Sequence, residues 1–291
     1  MPEQELRVNA TSHHEATDVV VAVDQGTGST KAIALDFQGQ VVARSSVPVS
    51  RTDPRPGWVE QDALEIRDSV VTAMASPLDQ RPLNVTAVGL SNQRESAVVW
   101  DRQTGRPLGP MLGWQDRRTT ERATAAYEEG WGHEVRSRTG LPLDPMFSAL
   151  KLGWLLDQVD PDRAGCRSGR IAVGTVDSWL LFSLTGEHRI EIGNASRTQL
   201  LNLERAEWDA DLAERFNTCR LGAILPDSCV KPAVPRDYGN NPASIMGRWS
   251  PFSKFFTTSC FSRAFSQYLC SPWLSANSAG RISSWQSLQL P

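Results

Sequence analysis

Residues 18–24 run Asp-Val-Val-Val-Ala-Val-Asp, a continuous apolar, largely β-branched stretch that predicts a buried strand ending in an acid. Residues 31–37 alternate and read as a second strand. Gln38-Gly39-Gln40 makes a tight turn, and residues 41–47 read as a third strand, so a three-strand meander opens the domain. Asp62-Ala63-Leu64-Glu65 has the spacing of a reciprocal helix cap. The helix it opens runs to about Met74, with Leu64, Ile66, Val70 and Val71 on its apolar side. Residues 85–90 predict another buried strand, ending in Ser91-Asn92-Gln93-Arg94-Glu95. A strand at 97–100 and a turn at 101–105 follow. Helices are expected at 119–129, 147–159 and 176–184, with a strand at 171–173 before the last. Sheet and helix alternate after the meander, which is the α/β pattern.

Composition narrows the class. A chain of 291 residues suits one large domain or two modest ones, and 40% hydrophobic with 22% charged residues is a globular balance. The net charge of −3 argues against a nucleic-acid binder. No apolar run approaches the roughly 20 residues of a membrane span. The start of the chain lacks a basic-then-apolar signal, which points to the cytoplasm. Five cysteines (166, 219, 229, 260 and 270) show no metal-ligand spacing, and their odd number fits a reducing compartment better than a disulfide framework. Residues 1–17 read as a disordered leader. Its His13-His14 pair lacks a third ligand nearby, so a solvated tail is the simpler reading than a metal site.

Charge divides the chain further. All 33 acidic residues lie at or before Asp237, against 26 basic residues there, so residues 1–237 carry −7. The last 54 residues hold four basic residues, no acid, ten aromatics and twelve serines. A folded domain needs acids for solubility and capping, and a solvated linker carries few aromatics. The preferred reading of 238–291 is therefore an aberrant, disordered tail, as from a frame change or an unspliced gene end. The alternative is a poorly ordered tail that sticks to another surface through its aromatics. The domain itself is placed at 18–237.

The chemistry centres on Asp24-Gln25-Gly26-Thr27-Gly28-Ser29-Thr30-Lys31. Glycines let backbone N–H groups crowd an anion, hydroxyls add donors, and a carboxylate at a strand end can hold Mg²⁺ through water. The Walker spacing is absent and a strand follows instead of a helix, so this is a phosphate hairpin and not a P-loop. Ordinary hairpins also use Gly, Thr and Ser, and on the turn alone that plainer reading is preferred.

Further segments change the balance. Pro56-Gly57-Trp58-Val59-Glu60-Gln61-Asp62, Asn92-Gln93-Arg94-Glu95, Gly113-Trp114-Gln115-Asp116-Arg117-Arg118, Thr139-Gly140-Leu141, Asp144-Pro145, Gly174-Thr175-Val176-Asp177-Ser178-Trp179-Leu180 and Asn194-Ala195-Ser196-Arg197-Thr198 follow the hairpin in order. Together they resemble the FGGY carbohydrate kinases over about residues 18–226, within that family most of all its glycerol kinases. The resemblance implies an actin-like (ribonuclease-H-like) N-terminal domain whose cleft, shared with a second domain, takes ATP with Mg²⁺ and a polyol or small sugar. It implies that Asp24 lies near the metal and the moving phosphoryl group. Thr27, Gly28 and Ser29 line the nucleotide phosphates, and Lys31 stands where the family usually has a basic residue. Arg94 and Glu95 bind polyol hydroxyls, and Trp114 packs on the carbon chain. Outside this context Arg94-Glu95 reads as a loop ion pair and Trp114 as a core residue. Oligomers are common in the family, which leaves room for a homo-oligomer.

Three departures qualify the resemblance. Met146 replaces the usual Tyr after Asp-Pro, removing a hydroxyl donor from the polyol pocket, and Gly28 replaces the usual Thr. The family's catalytic base is an Asp opening the second domain, yet no Asp or Glu follows Asp237. The chain is therefore expected to be a kinase by descent that is inactive or nearly so. The alternatives are a non-catalytic polyol-binding or subunit-interaction module, or a truncated gene product without a role.

Overall fold

The computed structural model describes residues 16–80, 82–219, 221–225 and 255–257. Most of the expected leader and tail lies outside the described residues. The first half comprises β1 (Thr17–Gln25), β2 (Ser29–Asp36), β3 (Val41–Pro48), β4 (Glu60–Gln61), α1 (Ala63–Gln80), β5 (Leu83–Asn92), β6 (Val98–Asp101) and β7 (Met111–Leu112). Then come α2 (Thr120–Glu128), α3 (Trp131–Thr139), α4 (Ser148–Val159), α5 (Ala164–Arg167), β8 (Ile171–Gly174) and α6 (Val176–Thr185). The remainder is β9 (Arg189–Glu191), α7 (Ile192–Ala195), β10 (Leu201–Asn202), β11 (Glu207–Trp208), α8 (Ala210–Arg215), β12 (Ala223–Leu225) and β13 (Phe255–Thr257).

The main sheet has the order β13-β5-β1-β2-β3, with β1 antiparallel to β2 and parallel to β5. The expected meander is present, and β1 is central, as its unbroken apolar run requires. Val19, Val21 and Val23 join Ala32, Ala34 and Ala43 in a core shared with α1 and α6, while Ala22 and Ile33 face the other way. Trp179 of α6 is fully buried there and its indole N–H donates to the Ala63 carbonyl (2.9 Å), fastening α6 to the start of α1. A second core gathers α2–α4 and the chain beyond α6. β6 serves both: Val98 and Trp100 enter the first core and Val99 the second, the two-residue period of a strand buried on both sides.

Three expectations need correction. Helix α1 runs past Met74 to Gln80 with Pro77 inside it. A proline there cannot donate to the carbonyl four residues back, Ala73. That carbonyl instead accepts the Ser45 hydroxyl of β3 (2.6 Å), which lets the helix continue. The reciprocal cap is half made. The Asp62 carboxylate accepts the Leu64 N–H (2.8 Å), but Glu65 turns outward to accept the Ser50 N–H (2.8 Å) and ties the exit of β3 to α1. Cys166 and Cys219 form a disulfide across 53 residues (Cα–Cα 5.8 Å), where cysteine counting had favoured free thiols; counting carries no information on which cysteines meet in space. Among the described residues, no helix is long and apolar enough to cross a membrane.

Replacing Ser45 with Ala leaves the Ala73 carbonyl without its partner and is expected to destabilise the domain by about 1 kcal/mol in urea titration. The same change in a Pro77→Ala background is expected to cost less, because the restored N–H can take the carbonyl back.

Candidate functional site

The β1–β2 register sets Asp24 opposite Lys31 and Gln25 opposite Thr30, leaving Thr27 and Gly28 at the tip of the hairpin. The Gly26 N–H donates to the Ser29 carbonyl (2.9 Å), and Gly28 accepts from the Val49 N–H (3.1 Å). A Cβ at Gly26 would lie 3.2 Å from the Ser29 oxygen, so the tightness of the turn favours glycine there. One at Gly28 would meet nothing within 4 Å, so only backbone freedom is lost by a larger residue. The half-buried Asp24 carboxyl is pushed above the usual carboxylate range by burial and partly pulled back by Lys31. Among the described residues no cluster of three His, Cys, Asp or Glu forms a cage for a metal. A lone strand-end carboxylate suits Mg²⁺ held mainly by phosphate oxygens and water.

Three buried glutamines hold this hairpin, and none was singled out from the sequence. Gln61 donates to the Thr27 carbonyl (2.9 Å) and the Ser50 carbonyl (3.1 Å). Gln93 donates to the side-chain oxygens of Gln61 (2.9 Å) and Gln25 (3.3 Å), and Gln25 donates to the Gly26 carbonyl (2.8 Å). Amides both donate and accept, so Gln93 can bridge the other two and the set can fix the turn without adding charge. Their only sequence signal is position: each lies inside one of the quoted motifs.

The residues expected on the polyol side come from three other segments. Arg94, just past β5, is exposed and makes no hydrogen bond or ion pair among the described residues. Glu95 has left-handed backbone (φ 56°), and its carboxylate pairs with Arg197 (2.5 Å), which also lies over the Phe147 ring. Trp114 is 41% exposed, so it is not a core residue, and its indole N–H donates to the Thr27 hydroxyl (3.2 Å). Met146 is half-buried beside α4, its N–H bound to Asp144 (2.7 Å). The buried ammonium of Lys151 then donates to the carbonyls of Glu95, Gly113 and Met146 (2.5, 2.9 and 2.7 Å). Burial pushes the Lys151 pKa down to about 7, against the pull of Asp116, Glu95 and Asp144.

The wall behind Trp114 is built on Arg118. Its guanidinium sits in the corner between the near-perpendicular rings of Trp58 (3.9 Å) and Trp154 (4.6 Å) and pairs with Asp116 (2.9 Å) and Glu60 (2.7 Å). Asp116, fully buried, also accepts the Val59 N–H (2.7 Å). The segments around 56–62 and 113–118 are thereby one unit. The structure thus joins Thr27 to Trp114 directly and brings the backbones of Glu95, Gly113 and Met146 to one point, while Arg94 and Lys31 project without hydrogen bonds to the others.

Residues 19–228 match the family described as FGGY family of carbohydrate kinases, N-terminal domain. The chain is similar to the glycerol kinases of Haloferax volcanii (42% identity over 234 residues, 75% of this chain and 45% of that protein) and Halobacterium salinarum (44% over 253 residues, 81% and 48%). Among solved structures it resembles Plasmodium falciparum glycerol kinase with ADP (TM-score 0.74, 26% identity, 83% of this chain and 49% of that one). It also shares the fold of gluconate kinase from Lactobacillus acidophilus (TM-score 0.71, 21% identity, 83% and 47%). The chain spans about half the length of these relatives.

Arg118→Met is expected to destabilise the domain by about 3–5 kcal/mol in chemical denaturation, because it strands the buried Asp116 charge. Adding Asp116→Asn is expected to recover part of that loss.

Proposed function

The chain belongs to the FGGY family of carbohydrate kinases, and from that premise we propose that it is the substrate-and-phosphate half of a glycerol-type kinase. Such an enzyme moves the γ-phosphoryl group of ATP to a polyol hydroxyl. The observation that carries this reading is the hydrogen bond from Trp114 to Thr27, which makes the polyol wall and the phosphate hairpin one continuous surface.

Each side chain has a task that its chemistry allows. A polyol offers only hydroxyls, so the exposed Arg94 guanidinium donates to them and the Glu95 carboxylate accepts, held in place by Arg197. The exposed ring of Trp114 covers the carbon chain. A ligand missing a hydroxyl would leave a charged group unpaired, a strong penalty. Met146 gives the pocket bulk without a donor, which favours a polyol other than glycerol or a small sugar. At the hairpin, Thr27, Gly28 and Ser29 present backbone and hydroxyl donors to phosphate, with Lys31 adding positive charge. Mg²⁺, when bound with ATP, neutralises phosphate charge, and Asp24 is the residue that would hold it through water.

Transfer forms a bond from the polyol oxygen to the γ-phosphorus, breaks the bond to the ADP oxygen, and releases the hydroxyl proton to a base. Glu95 is engaged with Arg197, and no carboxylate follows Asp237. Phosphoryl transfer also depends on positioning and water exclusion on both sides of the group. These 291 residues alone are therefore expected to bind polyol with little or no turnover.

Calorimetry with glycerol, erythritol and a pentitol on the purified chain tests the reading. Binding of at least one is expected, weakened roughly tenfold or more by Arg94→Ala or Glu95→Gln, with polyol-dependent ADP release at background. No heat from any of the three, in a protein that melts cooperatively, contradicts the binding assignment. Turnover abolished by Glu95→Gln and Asp24→Asn contradicts the inactivity.

A further inference from the structure

Lys151 has no place in the chemistry above, yet it is among the most deeply buried side chains, with no exposure to solvent. Burying an ammonium is costly, and a methionine or leucine would fill the same space in α4 without that cost. The return is three hydrogen bonds, all to backbone carbonyls and each from a different segment. The acceptors are not arbitrary. One is the carbonyl of Glu95, one that of Met146, and one that of Gly113, whose next residue is Trp114. An ammonium has three N–H donors and all three are used.

We propose that Lys151 is a positioning residue of the polyol site, a single cation that fixes the spacing of the three loops carrying Glu95, Trp114 and Met146. The proposal rests on the polyol reading for its purpose, though the clamp itself rests only on the three contacts. Glu95 shows why a clamp is needed: a non-glycine residue with positive φ is strained and must be held by its surroundings. The Lys151 bond to its carbonyl and the Arg197 bond to its carboxylate hold it from both ends.

The clamp is sensitive to protonation. The charged groups acting on the ammonium are Asp116, Glu95 and Asp144, which favour it, and Arg117, which opposes it. A neutral amine has two N–H donors, so one carbonyl loses its partner. Burial outweighs that loss and holds the pKa near 7, so the proton leaves the closed loops more easily than opened ones, where the ammonium is solvated.

The test combines polyol calorimetry with amide hydrogen exchange, on wild type, Lys151→Met and Arg94→Ala. Lys151→Met is expected to bind polyol at least about tenfold more weakly, the scale of one lost charge-assisted hydrogen bond. Protection is expected to fall together at residues 95–96, 114–115 and 146–147 and to hold in the 24–31 hairpin. In wild type, protection at the three loops is expected to rise together as pH rises through about 7, because opening solvates the ammonium and restores its ordinary pKa, so a bound proton favours the open state. Lys151→Met, lacking the titrating group, is expected to show no such rise. Polyol affinity within twofold of wild type, or exchange raised at only one loop, overturns the clamp. If Lys151→Met fails to fold, the wild-type pH series decides: protection rising together at the three loops supports the proposal, and unchanged protection overturns it. If wild type binds no polyol at all, the functional reading fails, while exchange at the three loops still decides whether Lys151 clamps them.

Discussion

A charge placed inside a protein has to be surrounded by partners, and the segments supplying those partners lose their freedom to move apart. The Lys151 ammonium imposes this constraint on the polyol side of the site, because its three carbonyl acceptors belong to three segments far apart in sequence. Arg118 imposes it a second time, drawing Glu60, Asp116, Trp58 and Trp154 around one guanidinium. Between them these two cations fix the backbones from which Glu95, Trp114 and Met146 project. The wall proposed to face the ligand is therefore held by groups that stand behind it.

The phosphate side is held by a different device. An unpaired buried amide is penalised as a lost hydrogen bond, and Gln25, Gln61 and Gln93 avoid that by bonding to one another and to the carbonyls of Gly26 and Thr27. The parallel pairing of β1 with β5 makes this network possible, since it sets Gln25 opposite Asn92 and hence beside Gln93. A neutral network keeps Lys31 and the turn's N–H groups as the positive features an anion meets. The Trp114–Thr27 bond then links the two sides.

Much of this was legible in the residues. The valine run of β1, the alternation of β2 and the Gln-Gly-Gln turn dictated the meander, since strand period and turn chemistry are local. The expected helices at 119–129, 147–159 and 176–184 match α2, α4 and α6 within a residue at each end. The short, weakly apolar α3 was not anticipated; it is built from charged residues with only Val135 and Thr139 buried. The full length of α1 also escaped, because the partner that tolerates Pro77 comes from Ser45 on another element. At the site, the residues expected to touch ligand stand out in the sequence by type and motif. Lys151, Arg118 and the glutamines do not, because a positioning residue is defined by what it contacts across the fold. The disulfide is hidden for the same reason.

A crystal structure of the chain soaked with the tightest-binding polyol would examine this arrangement at the atoms concerned. The ligand is expected against Trp114, its hydroxyls within hydrogen-bond distance of Arg94 and Glu95, and Lys151 still bound to all three carbonyls. A polyol seated elsewhere, or at this wall without contact to Arg94 and Glu95, would contradict it.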